Sequence, residues 1–162
     1  MSNKYEFDPF FQYVTVSHET SEGNCFLPMF FFDAANHFAM FYVDIEKTRE
    51  LTRGTELDPV EFHKGKTLAA IASFDYRQAS INPYLEVGLA VACTPKGVDA
   101  PTDPLAAMLG DPDNHHMAFC VIDLPVSTNQ ATAAGIELWG FPKFTTDIGF
   151  NLNGGRFEKH GV

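Results

Sequence analysis

Thr67-Leu68-Ala69-Ala70-Ile71-Ala72-Ser73-Phe74-Asp75-Tyr76 and Tyr84-Leu85-Glu86-Val87-Gly88-Leu89-Ala90-Val91-Ala92-Cys93 are two apolar stretches joined through Ser80-Ile81-Asn82-Pro83. The first reads as a strand with a buried middle; the second, rich in Val, Leu and Ala, reads as its partner across the link. The same texture continues on both sides. Phe26–Phe32 is short and almost wholly apolar, as a buried strand is, with Pro28 marking a strand start or an edge. Asp33-Ala34-Ala35-Asn36 is a turn candidate before a further strand over His37–Val43, so the two predict a hairpin. His116–Leu124 and Phe144–Leu152 are two more strands, the latter followed by a hairpin turn at Asn153-Gly154-Gly155.

Helices are few and short. Asp44 can cap one that runs to Leu51 and stops at Gly54. Ser127 or Thr128 can cap another through Ala134, ended by Gly135. Residues 1–24 read as an irregular arm with one short strand, and Leu57-Asp58-Pro59 as a turn. Thr94–Asn114, rich in Pro, Gly and Asp, reads as a long connection with one helical turn at Leu105–Leu109. The sum is a mainly β (α+β), mostly antiparallel domain with short flanking helices. At 162 residues the chain suits a single domain spanning 1–162.

A formal net charge of −10 argues against nucleic acid as a partner and against long-range steering of anions, so an acidic substrate would need a local cation. No basic region leads into an apolar run at the N-terminus, and no stretch approaches the roughly 18 apolar residues of a membrane span. Three widely spaced cysteines, Cys25, Cys93 and Cys120, fit reduced buried thiols in a cytoplasmic protein better than a disulfide framework. Sixteen phenylalanines predict a thick aromatic core or a deep apolar pocket. His115-His116 is a poor chelate, because adjacent strand residues face opposite ways, and His18, His37, His63 and His160 lack ligand spacing. Neither a phosphate loop nor a dinucleotide fingerprint is present, so neither metal nor cofactor is expected.

The chemistry-bearing stretch is Glu137-Leu138-Trp139-Gly140-Phe141-Pro142-Lys143-Phe144. An ammonium strongly prefers water, yet Lys143 stands among aromatic rings and a proline. Kept dry, its neutral and nucleophilic amine is favoured; the other reading is a lysine that snorkels past the rings to solvent. Glu86 in its apolar strand suits proton transfer, or else bonds backbone amides or an arginine. Arg77 is the nearest cation for a substrate carboxylate, or a solvated strand-end arginine. Tyr84, Trp139, Phe141 and Met117 are candidate pocket walls, with core packing the other reading of Tyr84 and Trp139, and Glu137 is a structural residue bonding nearby backbone.

With Pro83-Tyr84-Leu85-Glu86-Val87-Gly88 and Glu137–Lys143 together, the chain resembles the acetoacetate decarboxylase family from about Phe26 to Phe150. The resemblance implies a cone-like β-barrel, homo-oligomers, an imine-forming lysine at Lys143 and a functional glutamate at Glu86. Three positions depart from the family pattern. Acetoacetate decarboxylases exemplify a lysine activated by a cationic neighbour or by desolvation; Phe144 replaces the neighbouring lysine, so desolvation has to do more. Phe32–Phe38 lacks the arginine that holds the substrate carboxylate in the decarboxylases, and Ile71 stands where they have a further glutamate. Members usually continue past the point where this chain stops, which leaves a C-terminally truncated form open. The function implied is a cofactor-free lyase acting on a small keto acid or ketone through Lys143, by decarboxylation, aldol cleavage or dehydration. A small-molecule binding protein without catalysis and a subunit active only when assembled are the alternatives.

Overall fold

The computed structural model describes residues 8–111, 116–151 and 158–159. It is mainly β with short helices. A 3-10 turn at Pro9–Phe11 precedes β1 (Val16–Thr20), β2 (Gly23–Leu27), β3 (Phe31–Asp44) and α1 (Ile45–Leu51). β4 (Leu57–Pro59), β5 (Lys66–Ala79), β6 (Tyr84–Pro95) and α2 (Pro104–Leu109) follow. β7 (Ala118–Val126), α3 (Asn129–Trp139), β8 (Lys143–Thr145), β9 (Phe150–Asn151) and β10 (Glu158–Lys159) complete the order.

The main sheet has the strand order β3-β5-β6-β7-β8, with β4 pairing β6 off that path. Among the described residues this is an open path rather than a closed ring. The four-residue link Ser80–Pro83 is too short for a crossover, so β5 and β6 run antiparallel, as expected of the two apolar stretches. Two small antiparallel ribbons stand apart: β1 with β2, in register from Val16↔Leu27 to Thr20↔Gly23, and β9 with β10.

Several local expectations are corrected. Asp33–Asn36 is not a turn: β3 runs unbroken through it, and the Asp33 carboxylate accepts from Arg77 of the neighbouring β5. The hairpin predicted over Phe26–Val43 is therefore absent; β2 ends at Leu27, before Pro28, and pairs with β1. Leu57–Pro59 is a short edge strand in register with Cys93–Pro95, where Pro59 at its end is tolerated. The strand expected over Phe144–Leu152 is split into β8 and β9, the break falling at Thr146–Gly149, where Asp147 and Gly149 are poor strand residues. Helix α1 starts as expected, with Asp44 accepting from the amides of Glu46 and Lys47, and Gly54 follows with φ 91°. The turn at Asn153–Gly155 lies outside the described residues.

The chain divides into two compact units: residues 1–37, 73–87 and 125–162, and residues 38–72 and 88–124. The first packs Cys25, Ile81, Tyr84, Val126, Ala131 and Ala134 together, with Met29, Tyr76, Ala79 and Leu138 at the margin. The second holds two clusters, Val60, Leu68, Ala92 and Met117, and Ala69, Val91 and Cys93. The buried members of these clusters are aliphatic, alanine and sulfur-bearing side chains with one ring, Tyr84, and no phenylalanine, so the thick aromatic core, one of the two expectations, is not what fills them. Phe10, Phe26, Phe31, Phe38, Phe41, Phe119, Phe141 and Phe144 are exposed. Alanines at the packing surfaces let backbones approach closely, and three of the exposed rings, Phe31, Phe38 and Phe41, lie on β3, where the strand path ends. No helix among the described residues is long and apolar enough to cross a membrane.

Candidate active site

The site lies within the first unit and is assembled from α3, the turn after it, and the first residues of β6. α3 begins at Thr128, whose hydroxyl accepts from the amide of Ala131. It does not stop at Gly135, as the sequence suggested, but continues one turn to Trp139. The true stop is Gly140, left-handed at φ 68°, a conformation glycine adopts without steric cost. The amides of Gly140 and Phe141 fold back onto the carbonyls of Ile136 and Gly135, each at 3.0 Å. Pro142 follows, the amide of Lys143 donates to the carbonyl of Phe141 at 2.8 Å, and β8 begins at Lys143. The chain thus reverses beside its own helix. Thr132 of α3 and Thr145 of β8 share a 2.7 Å hydroxyl contact that fastens the two together.

From this position the Lys143 side chain runs inward to β6, where its Nζ donates to Glu86 Oε2 at 2.7 Å. Both side chains are only 9% exposed, which rules out the snorkelling reading. The amine also lies 5.4 Å from the centroid of the Tyr84 ring. Tyr84 and Glu86 share one face of β6 because they are two residues apart on a strand. Tyr76 of β5 packs against Tyr84 at 4.7 Å between ring centroids and stacks on Phe74. Burial pushes both phenols well above their ordinary range, with the charge of Glu86 the next cause. They are therefore neutral walls at physiological pH. Ser127 holds the start of β6 in place: its hydroxyl accepts from the amide of Leu85 at 2.8 Å, and its own amide donates to the carbonyl of Leu85 at 2.9 Å.

The structure thus brings together three of the residues singled out from sequence: Lys143, Glu86 and Tyr84. Arg77 is not with them. Phe74 and Tyr76 stack on one face of β5, so Asp75 and Arg77, alternating with them, occupy the other. Arg77 is held there by a two-pronged bond to Asp33, Nε–Oδ2 3.0 Å and Nη2–Oδ1 2.6 Å, and by Asp75 at 3.4 Å. The Asp33 bond, foremost, keeps the guanidinium charge fixed well above its ordinary range. Met117 is buried in the second unit with Val60, Leu68 and Ala92. Trp139 and Phe141, 47% and 40% exposed, border the turn into Lys143. Glu137 lies inside α3 and not after it, and its carboxylate accepts from the amide and the hydroxyl of Ser21, 116 residues away, instead of from nearby backbone. His115 lies outside the described residues.

Neither Tyr76 nor Gly135, which reads as a helix stop, stands out in the sequence as a site residue. Tyr76 was legible only as the end of an apolar strand. Gly135 had a signal, since apolar residues continue at helical spacing to Trp139 beyond it.

A dry lysine paired with a strand glutamate beneath tyrosine, immediately after a Trp-Gly-Phe-Pro turn, is the arrangement to be placed among known proteins. The sequence model of acetoacetate decarboxylase (ADC) matches residues 14–159, most of the chain. The chain belongs to the acetoacetate decarboxylase family. Among curated proteins and among solved structures no match to it is found. Acetoacetate decarboxylase membership supports a decarboxylase-like lyase.

Proposed function

We propose that this protein is a cofactor-free lyase that binds a small keto acid or ketone covalently, as an imine on Lys143. The observation that carries the reading is the 2.7 Å contact between Lys143 Nζ and Glu86 Oε2, with both groups withdrawn from water. Proton movement along that bond supplies both forms the chemistry needs. Transfer from nitrogen to carboxylate leaves a neutral amine with a free lone pair beside a carboxylic acid. The lone pair attacks the substrate carbonyl carbon, the opened oxygen takes a proton from the attacking nitrogen, and the carboxylic acid gives its own proton to the resulting hydroxyl, which leaves as water while the nitrogen lone pair closes the iminium. The cationic iminium then accepts the electron pair of the bond broken next, whether to carbon dioxide or to an aldol fragment, and an enamine results. A proton from solvent, relayed through Glu86, goes to the enamine carbon, and water then hydrolyses the iminium, which releases the product and restores the amine. Excluding water protects the imine from premature hydrolysis, and the neutral Tyr76 and Tyr84 walls add no competing charge.

Under the same reading the strand path closes as the family's cone-like barrel, and the chain works as a homo-oligomer in the cytoplasm. Light scattering on the purified protein tests the assembly: a monomer at all concentrations removes that part. For the chemistry, the protein is incubated with acetoacetate, pyruvate, acetone and larger keto acids, reduced with borohydride and digested. A mass increase on the Lys143 peptide equal to the reduced carbonyl compound is expected, absent in Lys143→Arg. No adduct at Lys143 with any of them overturns the proposal.

A further inference from the structure

Gly135 sits inside α3, four residues before the helix ends, in a run otherwise made of Ala131, Thr132, Ala133 and Ala134. A glycine there weakens a helix relative to alanine, so its presence asks for a reason. The reason is visible in what surrounds it. A Cβ at Gly135 would lie 2.2 Å from Cδ of Lys143, 2.7 Å from Cε and 3.0 Å from Cγ. The helix has a notch one methyl group deep, and the alkyl stem of the lysine lies in it. Because the chain reverses at Gly140, Lys143 returns alongside α3 at the level of Gly135, and the notch is the passage by which its nitrogen reaches Glu86.

We infer that Gly135 is a positioning residue for Lys143: the missing side chain seats the stem against α3 and thereby fixes the amine on the Glu86 carboxylate. Its catalytic meaning rests on the imine reading above, whereas the seating itself does not. The atoms a Cβ would meet belong to one flexible side chain and not to backbone, so Gly135→Ala leaves α3 intact and displaces the amine.

Two measurements test this without an imine. In the first, wild type, Glu86→Gln, Gly135→Ala and the double variant are trace-labelled with acetic anhydride. The rate at Lys143 is read by mass spectrometry against the other lysines. In the wild-type background Glu86→Gln changes that rate by at least about tenfold, the worth of one charge-assisted hydrogen bond. In the Gly135→Ala background the same change leaves the rate as it was, since the amine no longer meets the carboxylate. An undiminished Glu86 effect there overturns the inference. In the second, Gly135→Ala is introduced with and without Lys143→Ala. With the stem removed, alanine raises the melting temperature through helix propensity; with the stem present, it does not. An equal gain in both backgrounds overturns the inference. Should Gly135→Ala alone fail to fold, recovery in the Lys143→Ala background supports it, and failure of both sinks it. A blank borohydride screen together with these coupling effects would remove the lyase reading and leave the seating standing.

Discussion

Lys143 and Glu86 depend on each other for company as well as for chemistry. Two charged groups at 9% exposure are tolerable because each supplies what the other lost on leaving water. Removing one partner strands the other, so Lys143→Met is expected to cost about 3 to 5 kcal/mol, whereas Lys143→Met with Glu86→Leu, an apolar replacement of both, recovers most of it. Chemical denaturation of the two variants decides this; a double variant no more stable than the single one means the pair is not mutually compensating. Glu86→Gln keeps the shape but cannot cycle a proton, and it is expected to slow borohydride trapping at Lys143 by about 10²- to 10⁴-fold, the usual worth of a general acid–base group. Both residues were legible in the sequence because an ionisable group in an apolar run is conspicuous by itself. Arg77 misled for the opposite reason. Its partner Asp33 is 44 residues away on another strand, and which face of β5 it occupies emerges only when the strands pair.

At the level of the elements, the site depends on how α3 ends. Gly140 takes φ 68°, and a residue with a Cβ there pays roughly 1–2 kcal/mol. Gly140→Ala is therefore expected to lower stability by about that amount and, because the turn leads directly into Lys143, to slow trapping as well. Thr128→Ala provides the contrast. It removes the cap at the other end of the helix, costs about 1 kcal/mol, and leaves the trapping rate per folded molecule unchanged. Equal trapping rates for Gly140→Ala and wild type, normalised to folded protein, would show that the turn does not govern the amine. The long strands β5 and β6 were readable because their hydrophobic content and short link suffice locally. The error at Gly135 arose because a glycine after alanines resembles a helix stop; only the returning lysine shows why a gap is placed there. Asp33–Asn36 has turn residues, yet pairing with β5 prevails over local preference.

For the molecule as a whole, stability is expected to fall in alkaline solution by a route that the buried acids define. Cys93 is almost wholly buried, and its thiol is pushed up from 9.0 to about 12, by burial first and by the neighbouring Cys120 next. The phenols of Tyr76 and Tyr84 are raised in the same sense, again by burial first. All three are acids whose folded form holds its proton longer than the unfolded chain does. Below the unfolded value the two states bind the same protons and the full stability is present. Above it the unfolded chain releases protons that the fold retains, so for Cys93 stability declines as pH rises from 9.0 towards about 12. The decline is at most about 1.36 kcal/mol per pH unit for each such group. A chain already at −10 gains further negative charge on unfolding, which adds to the drive. Denaturant melts across this range should show the slope, and Cys93→Ala should flatten it by one group's share while leaving the neutral-pH chemistry of Lys143 untouched. The phenolate absorbance provides an independent check: two of the five tyrosines should stay silent until the fold is lost. Smooth ionisation of all five in the folded protein would mean that the walls of the lysine site are open to water.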